Sequence, residues 1–144
     1  YITQVLPNDW AITTSQGSGM WTASRNLFNT ESKHIYSLSY TCTINEQVGL
    51  IELVDTNIRT GDIGEPEKVL FRFMKNNKET YSTEARSVEE RWYSPRHTKG
   101  AINAMRKADQ LLLVFVAENK EYKTITISLT GSSKAIETVR KQCK

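Results

Sequence analysis

The chain carries few groups suited to chemistry: two cysteines, Cys42 and Cys143, two histidines, His34 and His97, and an adjacent carboxylate pair at Glu89-Glu90. A structural zinc site needs four close ligands, and two Cys and two His scattered along the chain do not supply them. No P-loop, GxGxxG, GxSxG, HExxH or CxxC run is present. Neighbouring carboxylates on a strand point to opposite faces, so Glu89 and Glu90 read as solvated surface groups rather than an acid–base pair. Neither cysteine has a nearby His or an exposed setting that would lower its pKa, which argues against a catalytic thiol. Glu52 and Arg72 fall inside apolar strands and could pair across the sheet, a structural ion pair worth little if exposed. On these grounds no catalytic residue, metal or cofactor is assigned.

The most suggestive surface is the basic, aromatic run from Arg91 to Lys99, which contains Trp92, Tyr93, Arg96 and His97, with Arg106 and Lys107 following. Trp, Tyr and Arg are the side chains that anchor protein interfaces. The same types can grip phosphates and stack bases. The plainer reading is that Trp92 plugs the core and the charges are solvated. As an interaction site the segment reduces to Trp92, Tyr93, Arg96, His97, Lys99 and Arg106. Trp10, Met20 and Trp21 form a second aromatic cluster, expected in the core.

These groups must be positioned by one domain spanning residues 1–144, a length that buries a real core. The composition is 38% hydrophobic and 24% charged, with 3 Pro and 7 Gly, which excludes disorder and collagen. A formal charge of +3 is only mildly basic and is no nucleic-acid signature. The longest apolar run, Leu111 to Ala117, is far short of the about 20 residues a membrane-spanning helix needs.

From His34 to Ile44, Tyr36, Leu38, Tyr40, Cys42 and Ile44 alternate with Ser and Thr, the period of a half-buried strand. Val48 to Val54 follows as its hairpin partner. Lys68 to Met74 places Val69, Phe71 and Phe73 on one face. After an Asn76-Asn77 turn, Glu79 to Arg86 reads as a polar edge strand. Leu111 to Ala117 is apolar on both faces and belongs mid-sheet. A turn at Glu118 leads to Tyr122–Thr130, where Ile125, Ile127 and Leu129 alternate with Thr and Ser. Trp10 to Thr14 and Asn26 to Asn29 are weaker strands. Lys99 to Ala108 and Ser132 to Gln142 read as helices, capped by Thr98 and by Ser132 or Ser133. Hairpins outnumber crossovers, so the expected fold is mainly β: an antiparallel β-sandwich or open barrel with two short helices.

Cys42 shares its face with Tyr36, Leu38 and Tyr40, while Cys143 shares its stripe with Ile136 and Val139. Both faces point inward, one by period 2 and the other by period 3.6, so the two sulfurs can meet. A Cys42–Cys143 disulfide would close a loop of about 100 residues, worth about 4.7 kcal/mol by chain entropy, and staple the last helix to the sheet. The alternative is two buried reduced thiols in a cytosolic protein. A disulfide implies an oxidising compartment.

Leu112 to Val116, then Ile125-Thr126-Ile127-Ser128-Leu129-Thr130-Gly131-Ser132-Ser133-Lys134-Ala135-Ile136, Val139 and Cys143 resemble a strand, Φ-x-L-x-G-x-x-x-A-Φ helix and terminal Cys ending, where Φ is apolar. Leu38 to Cys42 looks like the same family's L-x-Φ-x-C strand. Trp10, Ser18 and Met20 look like its N-terminal segment. Together these are similar to the VasI/TagO-type accessory proteins of type VI secretion and, more distantly, to the invasion-associated locus B proteins. The resemblance implies an exported, non-enzymatic cell-envelope protein with one disulfide that acts through protein contacts. Two departures stand out. Trp21-Thr22-Ala23-Ser24 replaces the family's acidic pair, and the region from Arg86 to Lys99 is unusually basic and aromatic.

The expected function is that of a periplasmic accessory or binding protein of a cell-envelope or secretion apparatus, with a protein partner there and no nucleic-acid partner. An inhibitor or immunity protein against an envelope hydrolase such as lysozyme is the alternative, with Glu89–Lys99 or Thr13–Ser24 as the inhibitory loop. The expected location is periplasmic or secreted, with a signal peptide removed before Tyr1; a boundary set elsewhere would equally leave a chain opening on Tyr. The sequence sets no oligomeric state.

Overall fold

The computed structural model describes residues 2–6, 8, 10–15, 19–29, 34–43, 46–55, 68–89 and 92–143. Ten strands and two helices follow in chain order: β1 (Ile2–Leu6), β2 (Trp10–Ser15), β3 (Met20–Asn29), β4 (His34–Thr43), β5 (Glu46–Asp55), β6 (Lys68–Lys75), β7 (Lys78–Glu89), β8 (Trp92–Pro95), α1 (Thr98–Lys107), β9 (Gln110–Ala117), β10 (Lys120–Ser128) and α2 (Ser132–Gln142). All ten strands join one sheet in the order β1-β2-β3-β4-β5-β8-β7-β6-β9-β10. Every pairing is antiparallel. The mainly β, antiparallel expectation is met, and of its two forms the open one describes the sheet. No ladder joins β1 to β10 among the described residues, yet the sheet curls enough to bring its ends close. The Trp10 indole of β2 donates to the Thr130 carbonyl at 3.0 Å, and Arg25 of β3 donates to the Ser128 carbonyl at 2.9 Å.

Two hairpins owe their sharpness to left-handed residues. Asn76 and Asn77 have φ of 52° and 64°, and Glu118 and Asn119 have 53° and 61°. Two consecutive positive φ values are the type I′ pattern, whose twist matches that of the flanking strands. Both turns therefore fix a two-residue register, Lys75 opposite Lys78 and Ala117 opposite Lys120.

The expected faces hold along the described strands. Tyr36, Leu38, Tyr40 and Cys42 are buried, as are Val69, Phe71 and Phe73, and Ile125, Ile127 and Leu129. The outward face of β3 and β4 carries a Thr22–Thr41 hydroxyl pair at 3.0 Å. Trp10 is fully buried and Trp21 packs on the core, but Met20 is exposed, which corrects its expected core placement. Ile44 lies outside the described residues.

Strand β9 lies mid-sheet as expected, between β6 and β10. Strand β7 does not lie at an edge: β8, a four-residue strand missed in the sequence, pairs with it on the side away from β6. The polar pattern of β7 arises from its solvated outward face, with Thr83 and Ala85 turned inward and Ser82, Glu84 and Arg86 outward. The Asn26–Asn29 segment is the end of a ten-residue strand, and β1 was not foreseen. Arg72 Nε donates to Glu79 at 2.7 Å, and the Glu52 side chain, its expected partner, lies outside the described part.

The helices cover the inner face of the curled sheet, α1 over β5–β8 and α2 over β2–β4. Ala101, Ile102, Ala104, Met105 and Ala108 of the first helical segment join one core with Ala135, Ile136, Val139 and Cys143 of the second. Neither helix has a side-chain N-cap. His97 precedes α1 and left-handed Gly131 precedes α2, so the expected Thr98 and Ser132 or Ser133 caps are not formed. Ser132 reaches elsewhere: its buried hydroxyl donates to the Met105 carbonyl at 2.6 Å, tying α2 to the end of α1. Asp109 binds three further segments together. Its N–H donates to the Met74 carbonyl, its carbonyl accepts from Leu129, and its carboxylate accepts from the Asn76 N–H at 3.1 Å.

The two cysteines form the expected disulfide, with Cα atoms 6.2 Å apart and a sequence separation of 101. That separation lies within the usual 4.4–6.8 Å window, roughly, for unforced bridges. Both residues are 2% exposed. The bond fastens the end of α2 to the middle of the sheet, and Cys42 Sγ also lies 3.5 Å from the Val139 carbonyl oxygen.

Candidate interaction surface

Strand β8 and the head of α1 position the basic, aromatic segment. β8 pairs with β5 only at Trp92 and Tyr93, while its pairing with β7 runs on to Pro95. Pro95 therefore sits where β8 has one neighbour, and its missing N–H leaves no ladder bond unmade. The chain then turns through Arg96 and His97 into α1. The Arg96 N–H donates to the Glu84 carbonyl and the His97 carbonyl accepts from Ala101, each at 3.0 Å.

The structure divides the six candidate residues. Tyr93 faces the core, its ring edge-on to Phe115 at 6.4 Å, so its half-buried ring supports the sheet rather than offering an anchor. Trp92 begins β8, and its side chain lies outside the described part. Arg96, His97 and Lys99 are exposed together where the chain enters α1. Arg96 faces Glu84 at 3.9 Å, a loose contact between two groups about half exposed, worth little in water. Arg106 lies at the far end of α1, about 10 Å along the axis from Lys99 at 1.5 Å per residue. It pairs with Glu137 of α2 and so joins the two helices. Glu90 and Arg91 lie outside the described residues, as do residues 16–18 of the second loop considered.

Sequence reasoning missed the group beneath that ion pair. Tyr40 of β4 is buried, and burial raises its phenol above the ordinary value of 10.0; Arg140 and Arg106 pull it back, and Glu137 adds to the rise. A tyrosine on the inward face of a strand signals core, and nothing local tells that two helices place three charges over it.

Among the described residues, no three of His, Cys, Asp and Glu gather as metal ligands would. No helix of the described residues is long and apolar enough to cross a membrane. Set against protein-family models, curated proteins and solved structures, the chain finds no match. The functional reading therefore rests on the residues themselves. The exposed basic side chains at the head of α1 can engage carboxylates or backbone carbonyls of a partner, and a buried disulfide ties the neighbouring α2 to the same sheet.

Proposed function

We propose that the protein is a non-enzymatic accessory or binding protein of the cell envelope, periplasmic or secreted, and that it engages a protein partner through Arg96, His97 and Lys99. The observation that carries this reading is the buried Cys42–Cys143 disulfide, because such bonds persist in oxidising compartments. The exposure of the three basic side chains supplies the contact surface. The likeness to VasI/TagO-type proteins makes a secretion apparatus of the type VI kind the setting to examine first.

The test is cross-linking in an envelope extract, comparing the native chain with Arg96→Ala/His97→Ala/Lys99→Ala. A discrete adduct lost in the triple variant, with an unchanged thermal melt, supports the site. An adduct that persists removes it. A turbidity assay with purified lysozymes runs alongside, and inhibition of lysis would put the hydrolase-inhibitor reading in its place.

A further inference from the structure

The helical layer differs in charge from the rest of the chain. α1 and α2 together hold six cations and one carboxylate, Glu137, for a net +5. The whole chain is +3, so the residues outside the two helices sum to −2. The cations are also sorted by direction. Lys99, Asn103 and Lys107 recur at i, i+4 and i+8, and Lys134, Thr138 and Lys141 at i, i+4 and i+7. At 3.6 residues per turn, each stripe lies opposite its helix's buried stripe. The four lysines are exposed, and none of them enters an ion pair with another described residue. Arg106–Glu137 and Ser132–Met105 hold the two helices side by side, so the stripes share one layer.

The chemistry of this layer is narrow. The exposed large hydrophobic residues among those described are Val5 and Met20, neither of them on a helix. The helices therefore have no apolar wedge to insert. Lysine is depleted from protein interfaces, whose anchors are aromatic residues and Arg. A compact ammonium on a long stem instead suits a diffuse array of phosphates. A polynucleotide presents such an array too, but the disulfide favours a compartment where phosphate is displayed by membranes.

We propose that the outward faces of α1 and α2 dock on the headgroup layer of an anionic phospholipid membrane, through charge and without insertion. The proposal goes beyond the partner contact above. It is tested at Lys107, Lys134 and Lys141, whereas that contact turns on Arg96, His97 and Lys99; the shared Lys99 is left unchanged in the membrane test, so either can fail alone.

The experiment is co-sedimentation of the oxidised full chain with vesicles of phosphatidylcholine alone or of equal parts phosphatidylcholine and phosphatidylglycerol. Binding is expected only to the anionic vesicles and should weaken steeply as salt shortens the screening length. Each neutralised lysine should weaken it about fivefold, so Lys107→Gln/Lys134→Gln/Lys141→Gln should lose on the order of a hundredfold. Lys75→Gln/Lys78→Gln, exposed on the β6–β7 turn, should change nothing. Equal binding to both vesicle types, or to neither, overturns the proposal. So does a folded triple variant that still binds, or binding to duplex DNA with vesicles ignored.

Discussion

The two helices are close in length, each lacks a side-chain cap and each turns lysines outward, yet they are secured in opposite ways. α1 is threaded between β8 and β9 and is held by close packing. Gly100 lies so near the Tyr81 ring that a Cβ there would come 2.6 Å from the ring Cζ, and Tyr81 in turn lies against Phe73 at 6.2 Å. α2 follows the last strand and is held by a covalent bond, by Ser132 and by the Trp10–Thr130 contact beside its start. A helix of three turns is marginal on its own. Continuity with strands on both flanks lets one helix rely chiefly on shape, while the other is fixed by a point attachment at its end.

The contrast can be tested most severely at the disulfide. Cys42→Ala/Cys143→Ala should lose up to about 4.7 kcal/mol, the chain-entropy value for a loop of about 100 residues. That corresponds to a Tm lower by roughly 10–20 °C in a chain of this size. Hydrogen exchange should show α2 amides losing protection while those of α1 keep it; equal loss in both would erase the distinction.

The reciprocal change is Gly100→Ala. Helix propensity alone favours it by about 1 kcal/mol. The collision with Tyr81 should outweigh that and destabilise by about 1–3 kcal/mol, the usual range for overpacking. Adding Tyr81→Ala should recover the helix gain, and a double-mutant cycle by urea denaturation measures it. If Gly100→Ala proves stabilising, α1 is not held by shape.

Smaller effects are expected where the helices meet. Ser132→Ala removes a buried hydrogen bond and should lose about 1 kcal/mol. The Arg106–Glu137 pair is about one-third to one-half exposed, and its coupling energy should stay below about 1 kcal/mol and fade with salt.

Tyr40 gives the least change at neutral pH. Its folded pKa is raised, so its contribution is intact below the unfolded value of 10.0 and is lost as pH rises through the folded value. Tyr40→Phe should flatten the alkaline limb of the stability profile and leave the neutral plateau nearly unchanged.

Much of this architecture is legible in local pattern. The alternation around Cys42 and the i, i+3, i+7 stripe ending at Cys143 predict two inward sulfurs, and they meet. The apolar run of β9 predicts a mid-sheet place, and it has one. Strand neighbours are another matter. Whether polar β7 lies at an edge depends on β8, four residues that carry no period long enough to read. The caps failed for a related reason: Ser132 has a capping side chain, but the Met105 carbonyl, 27 residues away, claims its proton. The candidate surface was found in outline only. Tyr93 and Arg106 look free in sequence because Phe115 and Glu137, which engage them, lie on distant elements. Arg96, His97 and Lys99 remain exposed, and Glu84 faces Arg96 only loosely, at 3.9 Å.

The disulfide also imposes an order in time. A chain that emerges N-terminus first presents Cys42, and Cys143, at a sequence separation of 101, arrives only later to meet it. At about 5–20 residues per second, that interval lasts roughly 5–20 seconds. Throughout it, Cys42 is a lone thiol open to any other sulfur nearby. Its place on the inward face of β4, beside Tyr40 and Leu38, gives it shelter as soon as the hairpins with β3 and β5 close. The bond that completes the fold is thus also a receipt that the whole span between its two halves has arrived.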